Sequence, residues 1–112
     1  MKAPAPALEL NEQDHRRDIE SSVGQEIDVQ LRENPSTGFR WRIDQPGKPV
    51  CSLLHEAFAP DGGKPGQPGV HVWRFKVVSE GAASIEMAYC RSWESKVSAA
   101  RTFSFHVSAG AP

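Results

Sequence analysis

The chain lacks most of the features by which a function is read from a sequence. Its 112 residues contain no run approaching the ~18 apolar residues of a membrane-spanning helix, so no span is expected. Only two cysteines occur, Cys51 and Cys90, which make no disulfide framework. Formal net charge is −1, without the basic excess that a nucleic-acid partner or an anionic membrane would require. His15, His55, His71 and His106 are scattered, with no metal-ligand spacing, and solvated or structural roles are the expectation for all four. Gly62-Gly63-Lys64 lacks the strand-to-helix setting of a phosphate loop. Cys51 and His55 are close in sequence, but nothing marks them as nucleophile and base. The reading is therefore of a protein that is not an enzyme and needs no cofactor.

What is present is short-period alternation broken by loops. A hydrophobic content of 38% suffices for the modest core of one domain, and nine glycines and nine prolines point to elaborate connections. Ile27, Val29 and Leu31 alternate with polar residues, as do Phe39, Trp41 and Ile43, and these predict half-buried strands over about 25–32 and 39–44. Residues 50–58 read as a strand with no clear inward face. Trp73, Phe75 and Val77, then Ile85, Met87 and Tyr89, then Phe103, Phe105 and Val107 mark three more. Upstream, Leu8 and Leu10 could open a strand, Asn11–Asp18 reads as a loop, and Ile19–Val23 as a short strand, with a short amphipathic helix as the alternative. Six or seven strands with no convincing helix call for an all-β, immunoglobulin-like β-sandwich of about seven antiparallel strands. Residues 1–7 read as a flexible leader and 8–110 as a single domain. The leader lacks the apolar stretch of a signal peptide, which leaves the compartment undecided: periplasmic or secreted if a signal has been removed, otherwise cytoplasmic. On its strand Cys90 falls opposite Ile85, Met87 and Tyr89, so it should face outward, which favours free thiols.

Three loops stand apart from this framework: 34–38, 59–69 and 91–96. Asn34-Pro35-Ser36-Thr37-Gly38 combines a residue that bonds its own backbone, a fixed φ, two hydroxyls and a permissive glycine. Proline at its second position rules out glycosylation of Asn34. The second loop has four glycines and three prolines, and no regular element is expected in it. In the third, Trp93 lies outside the strand alternation beside Arg91 and Ser92, which fits an interface anchor, with a loop tryptophan folded back on the core as the alternative. Trp41 and Trp73 lie in phase with inward residues and read as core. An immunoglobulin-like strand order would gather the three loops at one end of the sandwich.

Together the loops resemble the chagasin family of protein inhibitors of papain-like cysteine peptidases, over roughly residues 18–108. The family's first-loop motif, Asn-Pro-Thr-Thr-Gly and an aromatic, is matched by Asn34-Pro35-Ser36-Thr37-Gly38-Phe39. Its glycine-rich second motif is matched by Gly66-Gln67-Pro68-Gly69 ahead of Val70-His71-Val72-Trp73, and its Arg-Pro-Trp motif by Arg91-Ser92-Trp93. Ser36 in place of threonine keeps the hydroxyl, whereas Ser92 in place of proline removes a stiffening ring. The resemblance implies reversible, noncovalent, competitive inhibition by a monomer. The 34–38 loop would enter the peptidase cleft, with Ser36 and Thr37 near the enzyme's Cys and His. Gly66, Gly69, Arg91 and Trp93 would clamp its sides. The alternative is a noninhibitory immunoglobulin-like module whose loops grip a carbohydrate or a surface protein.

Overall fold

The computed structural model describes residues 6–91 and 101–111. Eight strands make up the described chain: β1 (Leu8–Leu10), β2 (Arg17–Ser22), β3 (Glu26–Glu33), β4 (Phe39–Pro46), β5 (Cys51–Pro60), β6 (Gly69–Val77), β7 (Gly81–Arg91) and β8 (Arg101–Gly110). Only three single turns of 3-10 helix interrupt them, at Glu12–Asp14, Pro35–Thr37 and Asp61–Gly63. The strands form two four-stranded sheets, ordered β1-β3-β6-β5 and β2-β8-β7-β4. The two-sheet sandwich expected from the alternation is the fold of the chain. It has one strand more than the upper count, and its two N-terminal strands pair in parallel, β1 with β3 and β2 with β8.

The inward residues are those the alternation marked. Trp73, Phe75, Val77, Ile85, Met87, Phe103, Phe105 and Val107 are buried, and Ile27, Val29 and Leu31 close the core from β3. Trp41 is buried with them. Each sheet is apolar on one face only, so the two faces are stable only against each other.

Two expectations need correction and two others gain a physical account. Asn11–Asp18 is more ordered than a loop. Asn11 and Asp14 form a reciprocal capping box around the 3-10 turn, and β2 already starts at Arg17. The same stretch carries the chain from one sheet to the other. β5 runs to Pro60 and β6 begins at Gly69, so both ends of the glycine- and proline-rich stretch are strand. Proline is tolerated there because β5 is an edge strand. The unclear inward face of β5 has a physical cause: the register with β6 shifts between Leu53 and His55, and a bulge there reverses the alternation. Finally, Cys90 sits on the outward phase of β7 yet is buried, as is Cys51; both thiols are free.

Candidate functional site

Strand register decides where the loops go. Glu33, the last residue of β3, pairs with Gly69, the first of β6, and Gly69 pairs with Pro60, the last of β5. Phe39, the first residue of β4, pairs with Arg91, the last of β7, and Arg101 opens β8 opposite Tyr89. The 34–38 connection, the 61–68 connection and the two flanks of the third connection therefore share one end of the sandwich. Ser92 and Trp93 lie outside the described residues.

The first loop is braced by its own side chains. Pro35 starts a 3-10 turn, and Gly38 ends it in the left-handed region at φ 83°. That value suits glycine and few other residues. Asn34 Oδ1 accepts from the Ser36 amide at 3.2 Å and from Ser36 Oγ at 2.7 Å. Thr37 Oγ1 donates to the Asn34 carbonyl at 2.7 Å. Both hydroxyls thus direct their protons into the loop, and Thr37 Oγ1 also accepts from the Phe39 amide at 3.4 Å; both residues are exposed. The sequence suggested two hydroxyls offered at the tip; in the fold they are first of all braces.

Beneath the loop is an aromatic stack. Phe39 stacks on Tyr89 with centroids 5.6 Å apart, and Trp41 packs on Tyr89 at 5.0 Å. The Arg91 guanidinium carbon lies 4.7 Å from the Phe39 ring centroid, a cation–π arrangement joining the first loop to the start of the third. The Asn34 amide donates to the Tyr89 hydroxyl at 3.0 Å. Trp41 Nε1 donates to the Arg32 carbonyl at 2.8 Å, so its buried polar atom is satisfied.

The second loop is fixed at its base. Arg32 grips Asp61 with two hydrogen bonds of 3.1 and 2.8 Å, and the Asp61 amide donates to the Pro68 carbonyl at 2.9 Å. Gly66 is exposed at φ 80°, at the tip side of this connection. Gly69 is different. It is buried in the ladder, and a Cβ there would lie 2.1 Å from the Ala59 carbonyl oxygen. Its missing side chain is what lets β5 come this close.

Sequence reasoning did not single out Glu33, Glu56 and His71 as a group. Glu33 Oε2 accepts from the Trp41 amide at 2.7 Å and lies 3.1 Å from His71 Nδ1. His71 Nε2 is 2.7 Å from Glu56 Oε2. Burial pushes the Glu33 carboxyl up, but the His71 and Trp41 hydrogen bonds and the charges of His71 and Arg40 outweigh it and hold the group below its ordinary range. Burial pulls His71 down, and the bonds and charges of the two glutamates outweigh that and hold it above its ordinary value. A signal was available: Glu33 continues the inward phase of Ile27, Val29 and Leu31, and His71 that of Trp73 and Phe75. Charged groups at inward positions are rarely idle.

Residues 20–107 match the family described as Chagasin family peptidase inhibitor I42. The chain belongs to the chagasin family. Amoebiasin-2 of Entamoeba histolytica is 29% identical over 101 residues, covering 88% of this chain and 81% of the relative. Chagasin of Trypanosoma cruzi is 27% identical over 77 residues, covering 64% of this chain and 70% of chagasin. The crystal structure of the cysteine protease inhibitor EhICP2 from Entamoeba histolytica matches with a TM-score of 0.79 and 27% identity, covering 93% of this chain and 95% of that one. This is a family of inhibitors, not of enzymes. Among the described residues no cluster of His, Cys, Asp or Glu could hold a metal, and no helix is long and apolar enough to cross a membrane.

Proposed function

We propose that this protein is a reversible, noncovalent, competitive inhibitor of papain-like cysteine peptidases that works by laying the loop end of the sandwich into the active-site cleft. The 34–38 loop enters the cleft. Asn34 and Pro35 set its shape, Ser36 and Thr37 offer acceptor oxygens to the catalytic Cys and His, and Gly38 and Phe39 end it on the aromatic stack. Gly66 on one side and Arg91, Ser92 and Trp93 on the other contact the cleft walls. Gly69 supports the second loop from within the sheet.

The observation that carries this reading is the internal bracing of the first loop between Asn34, Ser36 and Thr37 at the end where the other two connections also emerge. A loop already held in one shape loses little conformational freedom on docking. A contact of this type buries on the order of 1,600 Å² in total. Family membership supports the same target class, and EhICP2 is itself a cysteine protease inhibitor.

Titration of papain or a cathepsin L-like peptidase with the purified protein tests it. The expected result is stoichiometric loss of activity, relieved by raising substrate, with the inhibitor recovered uncleaved. Full peptidase activity at saturating protein would overturn the proposal and leave the noninhibitory binding module in its place. Trp93→Ala is expected to weaken inhibition by about 2 kcal/mol or more if Trp93 is an anchor.

A further inference from the structure

The loop end of the sandwich is closed by a polar group where the core would otherwise continue. His71 is on the inner face of β6, and its ring lies parallel to Trp73, 4.0 Å between centroids and 5° between planes. Each of its nitrogens faces a carboxylate oxygen, Glu33 at Nδ1 and Glu56 at Nε2. A neutral imidazole has one N–H and one bare lone pair. With a carboxylate at both nitrogens, the neutral ring would set lone pair against lone pair on one side. Only the imidazolium donates to both.

Glu33 strengthens the argument. Its side chain is 1% exposed, and Oε1 is buried with no hydrogen-bond partner among the described residues. A carboxylate held that deep needs a positive charge beside it. Among the described residues, the charged and titratable groups facing this site are few. Glu33 comes from β3 and Glu56 from β5, while Arg40 acts on Glu33 from β4. Tyr89 of β7 is bound by the Asn34 amide, Arg101 of β8 lies over the Trp41 ring, and Arg32 is paired with Asp61.

The group also occupies a particular place. Glu33 directly precedes Asn34, and its carboxylate holds the Trp41 amide, so it clasps the 34–38 loop from both ends and ties one sheet to the other. His71 and Glu56 belong to the two strands that the 61–68 connection joins. A single protonated ring therefore secures the bases of two of the three loops.

We propose that His71 in its imidazolium form is a positioning residue for the peptidase-binding loops, so that inhibition is strongest in mildly acidic solution and weakens as the ring loses its proton. This rests on the proposed inhibitory function for its consequence, though not for its geometry. The direction follows from the two linked groups. His71 titrates above its ordinary 6.5, so its contribution is complete below that value and is lost as pH rises through the folded midpoint. Glu33 titrates below its ordinary 4.5, so its contribution is complete above that value and is lost only in stronger acid. The clasp is whole between these two limits.

Two measurements on the full chain test it. NMR titration of the His71 ring should give a midpoint above 6.5, with the amides of residues 36–39 and 61–64 shifting at that midpoint. The inhibition constant against one peptidase, taken as the ratio of variant to wild type at each pH, removes the enzyme's own titration. Wild type should weaken about fivefold or more relative to His71→Gln between about pH 6 and about pH 9. Glu56→Gln, altered at an exposed partner, should move the His71 midpoint down. A His71 midpoint at or below 6.5, loop amides that ignore it, or parallel profiles for wild type and His71→Gln would each overturn the proposal. If His71→Gln does not fold, an unmoved midpoint in Glu56→Gln overturns it. If no papain-like peptidase is inhibited, the inhibitory function fails, and the NMR titration still decides whether His71 holds the loops.

Discussion

The amide of Asn34 donates to the hydroxyl of Tyr89 across 3.0 Å, from the end of one sheet to a strand of the other. The bond joins the first residue of the 34–38 loop to the strand that leads into the third connection. Tyr89 is flanked by Phe39 and Trp41, so its ring is fixed by packing and its hydroxyl by the loop. Stacking aligns the loop; the hydroxyl sets its height.

Tyr89→Phe separates the two roles. The ring contacts remain and the part-buried Asn34 amide loses its acceptor. Leaving such a donor unsatisfied costs about 1–3 kcal/mol, and partial exposure puts the expected loss of stability near the lower end. Urea unfolding of wild type and variant measures it. An unchanged midpoint would mean that water replaces the hydroxyl without cost.

Asn34→Ala removes the oxygen that accepts from both the amide and the hydroxyl of Ser36. The loop is exposed and contributes little to the core, so the thermal midpoint should barely move. Inhibition should weaken about tenfold, equivalent to about 1.4 kcal/mol, because the loop must then be ordered on docking. Equal losses in stability and affinity would assign Asn34 a structural role only.

Gly69 and Gly66 make a paired test. Gly69→Ala places a Cβ against the Ala59 carbonyl and Pro60 Cα, at 2.1 and 2.7 Å, so the β5–β6 ladder must shift. Overpacking of this kind costs about 1–3 kcal/mol. Gly66→Ala meets nothing within 4 Å and pays only the strain of a positive φ, about 1 kcal/mol. Differential scanning calorimetry should rank Gly69→Ala as the more damaging, and the reverse order would remove the packing role assigned to Gly69.

Much of the fold was legible because its physics is local. Period-two alternation located the inward residues of β3, β6, β7 and β8, down to Trp73 and Phe105, and the loop motifs located the end they share. What escaped was non-local or masked by composition. Parallel pairing of β1 and β2 at sheet edges leaves no hairpin signature. The bulge in β5 erased its alternation, and Pro60 and Gly69 disguised strand ends as loop. Cys90 showed that an outward phase need not be exposed. Glu33 and His71 were visible as charges at inward positions, but their partner Glu56 comes from a strand whose phase the bulge had hidden.

Asp28 and Arg74 supply a prediction independent of the loops. They face each other across β3 and β6, and the guanidinium bonds both carboxylate oxygens, at 2.7 and 2.8 Å. The Arg74 hydrogen bond holds the Asp28 carboxyl below its ordinary 3.8, against the opposing effect of burial and with help from the arginine's charge. A depressed carboxyl adds stability that is complete above its unfolded value and disappears as pH falls through the folded one. Arg74 is itself half exposed, so solvent screens the pair and its contribution is modest. Asp28→Asn should therefore be less stable than wild type near neutrality, and the two should converge in acid below 3.8. Urea unfolding at a series of pH values reads the difference. Glu33 adds its own acid sensitivity to both proteins alike, so it cancels, and a gap between the curves that stays constant into acid would show that the pair acts through packing rather than charge.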